Sequence, residues 1–189
     1  MPNVTWLEPK ILLDILALNL YTAQNNLKMP NEKELFIISP WISNFELTVT
    51  PGVWHQQLTI GYRETSLRLL DLIYHFSKQK WKVHIAILKY GFSKKGLSKD
   101  KEKYWHERTF LKKSLRYQAS IYECPELHAK GVVTPLAIIT GTTNYTHSGL
   151  YRQSQNANYF AFDHPEYNGN KIQLVAKLKG ARKLSAKDL

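Results

Sequence analysis

The sequence predicts an α/β domain in which helices flank a mixed β-sheet, and three observations carry that prediction. Short apolar runs of strand character, at 34–39 and 81–88, alternate with segments whose apolar residues recur at helical spacing. Two further apolar stretches flank Thr134-Pro135 as the arms of a tight hairpin. A chain of 189 residues, 43% hydrophobic, is long enough for one well-packed core and short for two. Strands alternating with helices and then a terminal hairpin make a sandwich with a mixed sheet.

In order along the chain, residues 8–25 place Ile11, Leu12, Ile15, Leu16 and Leu20 on one broad apolar face, giving a first helix. ELFIIS (34–39) reads as a buried strand ended by Pro40. Residues 40–64 are irregular, with Pro51-Gly52 as a turn signal. Thr65 is placed to cap a helix that turns Leu67, Leu70, Ile73, Tyr74 and Phe76 inward. WKVHIAIL (81–88) alternates as a strand, and a helix over about 101–117 uses Tyr104, Phe110 or Leu111, and Leu115. ASIYEC, LHAKGVV and LAIIT follow as three strands, the last two joined at Thr134-Pro135, where proline withholds a ladder donor. NANYFAF (156–162) is another strand, and a final helix runs near 168–179. No internal repeat or Pro/Gly-rich linker divides the chain, so residues 1–189 read as a single domain.

The formal net charge is +11, and it is unevenly spread. Residues 89–103 hold six lysines against two acids, and residues 177–189 hold five basic groups against Asp188, so these two segments supply eight of the eleven charges. Such segments suit a polyanionic partner, because each neutralised phosphate releases counterions. Lys94, Lys95 and Lys99 are the candidate nucleic-acid contacts. A solvated loop and a solubilising basic tail are the plainer reading. No apolar run reaches membrane-spanning length, and MPNVTWLEPK lacks the features of a signal peptide. The single cysteine, Cys124, cannot form an internal disulfide, which suits a reducing, cytoplasmic setting. Beside Pro125, Cys124 reads as a packed thiol rather than a nucleophile.

The segment ELHAKGVVTPLAIITGTTNYTHSGL (126–150) carries the chemistry. His128 and Lys130, two apart, project to the same side if they lie on a strand. Gly141-Thr142-Thr143-Asn144 follows the next strand, at a distance that lets a hairpin fold it back toward them. One imidazole, one ammonium, hydroxyls, a carboxamide and backbone N–H groups then converge as a phosphate-handling set. His-x-Lys alone is a weak signal, but this is the only one in the chain and its context is a strand, a turn and a second strand. The remaining histidines show no metal-ligand spacing, so no metal or cofactor is expected. His147 and Trp41 are candidates to line the pocket, Trp41 because it follows the first buried strand and strand exits border α/β sites. The other tryptophans and tyrosines read mostly as core, with Trp81 on a strand face and Trp6 at a helix start.

This segment resembles the phospholipase D superfamily, whose motif is His-x-Lys, four residues, Asp, about six residues, then Gly-Gly/Ser/Thr-x-Asn. His128, Lys130, Gly141, Thr142 and Asn144 match it. The resemblance extends over about 34–162, taking in LFIISPWIS (35–43) and IYECPELHAK. The chain departs from the motif at its Asp, where Thr134-Pro135 stands, in a hairpin one residue short. It departs again at Asn156-Ala157-Asn158, where many members carry an acid; Asn158 is kept as a possible pocket residue.

The resemblance implies a metal-independent nuclease acting on DNA in preference to RNA. His128 would attack phosphorus and form a phosphohistidine. Lys130, Asn144, Thr142 and Thr143 would hold the phosphate oxygens. With one motif per chain, the second imidazole would come from His128 of a homodimer partner across a twofold axis. Membership of a restriction or phage-defence system, with other subunits, is a further expectation. Two alternatives remain open: a weak or inactive nucleic-acid-binding subunit, suggested by the missing Asp, and lipid phosphodiester chemistry, for which the sequence offers no membrane-binding segment.

Overall fold

The computed structural model describes residues 4–6, 9–25, 27–30, 32–48, 66–88, 101–152 and 156–189; of 4–6 and 101–104 it describes the backbone alone. In chain order the elements are β1 (Val4–Trp6), α1 (Pro9–Gln24), β2 (Glu34–Ile38), β3 (Glu46–Thr48), β4 (Ser66–Arg68) and α2 (Leu69–Lys78). Then come β5 (Lys82–Leu88), α3 (Lys101–Arg116), β6 (Ser120–Cys124), β7 (Gly131–Val133) and β8 (Ala137–Gly141). The chain closes with α4 (His147–Tyr151), β9 (Asn156–Ala161), α5 (Tyr167–Val175), a 3-10 turn (Ala176–Leu178) and β10 (Arg182–Leu184).

Among the described residues, eight strands form one mixed sheet in the order β1-β9-β8-β7-β2-β5-β6-β10, and β3 pairs with β4 separately. β2, β5 and β6 run parallel, while β7, β8 and β9 form an antiparallel meander beside β2. Parallel strands joined through helices are covered on both faces. That is why ELFII is buried at every position after Glu34. One face carries the larger core, in which α1, α2 and α3 pack Leu13, Leu16, Ile73, Phe76 and Phe110 onto Ile37, Ile85 and Ile121. The other face is covered by α5, whose Tyr167 and Leu174 meet Phe36, Ile38, Ala86 and Phe160. The alternation of 81–88 thus separates two cores, with Val83, Ile85 and Ile87 in one and Ala86 in the other.

The structure corrects four sequence expectations. Leu67 lies on β4, paired with Leu47, and the helix starts at Leu69 with Arg68 as its cap. Its first free N–H groups are taken by carboxylate and amide oxygens: Arg68 N donates to Asp71 Oδ2 and Leu70 N to Asn44 Oδ1, each at 2.9 Å. Thr65 lies outside the described residues, as do Lys94, Lys95 and Lys99. LHAKGVV contributes only Gly131–Val133 to the sheet, because β2, its partner, ends at Ile38 before Ser39-Pro40. His128 and Lys130 therefore stand in the coil that leads into β7. Trp6 belongs to β1, which pairs with β9, rather than to a helix start. The basic C-terminal segment is anchored rather than loose: β10 covers the β6 edge, Leu184 and Leu189 are buried, and Arg182 pairs with Glu123 and Asp188.

Candidate active site

The β7–β8 hairpin sets Gly131 opposite Thr140 and Val133 opposite Ile138. One step beyond the ladder, Gly141 N donates to the Lys130 carbonyl at 3.3 Å. The register therefore brings the segment holding His128 and Lys130 against the start of Gly141-Thr142-Thr143-Asn144. Lys130 Nζ donates to the His128 carbonyl at 2.8 Å, which sets the ammonium against the backbone of the residue that carries the imidazole. His128 is exposed and Lys130 half-buried. The coil from β6 turns through Glu126 at φ +55, a left-handed conformation that costs an ordinary residue about 1–2 kcal/mol and aims the chain toward β7.

Asn144 is fixed by its neighbours on both sides. Tyr145 N donates to Ser39 Oγ at 3.0 Å, and Ser43 N donates to the Tyr145 carbonyl at 3.0 Å, with Ile42 and Tyr145 forming a parallel bridge. Gly149 follows, where an added Cβ would sit 2.2 Å from the Asn144 carbonyl oxygen; only glycine lets α4 lie that close. Gly141 is needed for the same reason, since a Cβ there would stand 2.2 Å from the Asn156 oxygen of β9. Asn144 Oδ1 and Thr143 Oγ1 are buried with no hydrogen-bond partner among the described residues.

The other predicted residues fall as follows. Thr142 is exposed, its N bonded to the Asn156 carbonyl at 3.0 Å, whereas Thr143 is buried. Trp41 is 40% exposed in the loop after β2, and Ser39 Oγ donates to its carbonyl at 2.6 Å. His147 opens α4, exposed, with its N–H donating to Ser43 Oγ at 3.2 Å. The loop after β2 and the loop after β8 are thus one stitched unit, and Trp41 and His147 both belong to it. Asn158 does not join them. It pairs with Thr140, on the sheet face that α5 covers, out of step with Ala157 and Gly141.

Thr134, just before the motif's Asp position at Pro135, closes the hairpin at its far end, about 13 Å along the strand from Lys130 at ~3.3 Å per residue. It is buried, and its hydroxyl donates to the Ala137 carbonyl while accepting from Ala137 N and Asn19 Nδ2. Its carbonyl accepts from the Tyr167 phenol at 2.6 Å, a phenol that burial has pushed up to about 12. A residue so placed holds the turn. Cys124 is buried and burial pushes its thiol up, as befits a packed side chain. Ser39, Ser43, Glu107 and Gly149 were not singled out from the sequence; buried Glu107 accepts from Ile42 N at 3.0 Å and ties α3 to the same unit.

The mixed sheet between helices has a phospholipase D-like fold. The chain is similar to Nuc of Salmonella typhimurium, a phospholipase D family member, at TM-score 0.50 and 12% identity over 88% of each chain. It is similar to NucT of Helicobacter pylori at TM-score 0.50 and 10% identity, covering 97% of this chain and 99% of that one. The archaeal chromatin protein TrmBL2 aligns at TM-score 0.51 and 9% identity, over 96% of this chain and 53% of its own. No family model and no curated protein matches the sequence. Among the described residues no helix is long and apolar enough to cross a membrane.

Proposed function

We propose that this chain is a phosphodiesterase that cleaves nucleic acid, DNA before RNA, at His128. The observation that carries the reading is the hairpin register, which brings the His128–Lys130 segment against Gly141–Asn144 on a phospholipase D-like fold. A ring nitrogen of neutral His128 attacks phosphorus; the P–N bond forms as the P–O bond to the leaving oxygen breaks. A second imidazole gives that oxygen its proton. Water then attacks phosphorus, the P–N bond breaks, and the same imidazole takes the water's proton. Lys130, Thr142 and the Asn144 carboxamide stabilise the nonbridging oxygens as charge builds. These groups supply nucleophile, acid and countercharge from side chains, so the reaction proceeds without metal. The second imidazole is His128 of a second copy, related by a twofold axis.

Plasmid cleavage in EDTA tests this directly. Cutting persists in the wild type and vanishes in His128→Ala, and an acid-labile phosphate is trapped on the wild type alone. A strictly monomeric active enzyme would remove the shared-site part of the mechanism. A second reading, a DNA-binding subunit without catalysis, is favoured by the likeness to TrmBL2, described as a chromatin protein with a novel mode of DNA binding. Salt-sensitive binding with no cutting by either protein would select it.

A further inference from the structure

A cavity of about 620 Å³ lies between the sheet and the run from α5 through the 3-10 turn, on the face opposite the larger core. Its volume is that of a small-molecule pocket. The sheet side is a row of three rings from adjacent strands. Phe36 on β2 stacks on His84 of β5 at 4.4 Å, and His84 on Tyr122 of β6 at 5.9 Å. Of β2 the cavity takes Glu34 and Phe36, the half that runs away from Ser39 and from the Gly131 end of the hairpin. It is a separate place from the His128 segment.

The charges around this cavity are uneven. Glu34 lines it, but Lys82 lies 3.6 Å from that carboxylate and 2.8 Å from Glu32. Lys171 on α5 and Lys179 after the 3-10 turn line it too. Among the described residues neither has a carboxylate within 4 Å, and Lys171 acts on Glu32 only from further off. A guest that suits both features has a ring and an acid group. Aromatic walls favour a ring through edge-to-face and offset contacts, beyond the area it buries. Two ammonium groups on the opposite wall attract an anion and repel a cation.

We propose that this cavity binds a small molecule made of a flat aromatic ring carrying an anionic group, the ring against Phe36, His84 and Tyr122 and the anion at Lys171 and Lys179. A nucleoside monophosphate and an aromatic carboxylate share that chemistry. The proposal is independent of the phosphodiesterase reading.

Calorimetric titration of the full chain tests it with four probes: adenosine monophosphate, indole-3-acetate, adenosine and inorganic phosphate. Adenosine monophosphate or indole-3-acetate binds once per chain, at least about tenfold more tightly than adenosine or inorganic phosphate. Which of the two binds better identifies the source. Lys171→Ala combined with Lys179→Ala lowers that affinity by about threefold to thirtyfold, the range for two exposed ion pairs, and leaves adenosine unchanged. Ala176→Trp, at an exposed position on the cavity wall, fills the space and abolishes binding. Thermal unfolding shows that both variants are folded. His128→Ala binds as the wild type does. Binding of neither ringed anion, an affinity indifferent to the two lysines, or binding that survives Ala176→Trp would overturn the proposal. So would binding that His128→Ala removes, which would place the guest at the phosphodiesterase site instead.

Discussion

At the scale of single residues, Thr134 holds the β7–β8 turn and Gly149 sets the approach of α4 to Asn144. Thr134 Oγ1 makes three hydrogen bonds in a buried turn, one donated and two accepted. Thr134→Val fills the same volume but strands Ala137 N and removes one partner of Asn19. An unmet buried donor costs about 1–3 kcal/mol. The variant is expected to lose stability in that range by urea denaturation, while Thr134→Ser stays within about 1 kcal/mol of the wild type. Gly149 acts on Asn144 itself. In Gly149→Ala the methyl group meets the Asn144 carbonyl oxygen at 2.2 Å, and the clash is with backbone, which has no rotamer to escape into. Asn144 or α4 must shift. The expected result is a lower Tm together with slower plasmid cleavage; a variant with reduced Tm and undiminished cleavage would show that Asn144 is not where the chemistry needs it.

At the scale of elements, the unit that counts is the pair of loops after β2 and β8. Ser39 Oγ bridges them, accepting from Tyr145 N and donating to the Trp41 carbonyl. Ser39→Ala removes both bonds and leaves a buried N–H without its partner, so about 1–3 kcal/mol is lost. Because the bond is local, amide exchange at Tyr145 should accelerate well before global unfolding does. This seam joins residues 106 apart and has no signature in the sequence. α1 was legible in Ile11 to Leu20 because a sixteen-residue helix repeats its apolar face several times. β1, β3, β4 and β10 are three residues each, too short to display any period. The length of β7 was not legible either, since it is set by where β2 stops rather than by LHAKGVV itself. The candidate site was legible because His-x-Lys and Gly-Thr-x-Asn lie on one hairpin, where chain order and spatial order agree. Glu107 and Ser43, which reach the unit from elsewhere, were not.

At the scale of the whole molecule, stability is tied to pH through two half-buried histidines, His84 in β5 and His75 on α2. Burial lowers the affinity of His84 for a proton, opposed by Glu34 and reinforced by Lys183 and Lys82; burial also lowers that of His75, opposed by Asp71. His84 lies between Phe36, stacked at 4.4 Å, and Tyr122, so charging it disturbs the α5 face of the sheet. In the unfolded chain both imidazoles return to the ordinary value of about 6.5. Below that value the unfolded state binds protons that the folded state refuses. Stability thus rises with pH in that window. The contribution is fully present above about 6.5 and is lost as pH falls toward the folded-state values. Urea midpoints measured at pH 7 and at pH 5.5 should fall for the wild type. The fall should be smaller in His84→Gln, whose side chain does not titrate. Because carboxylates contribute equally to both proteins, the difference between the two slopes isolates the imidazole. Parallel slopes would mean that His84 takes up its proton in the folded sheet as readily as in the unfolded chain.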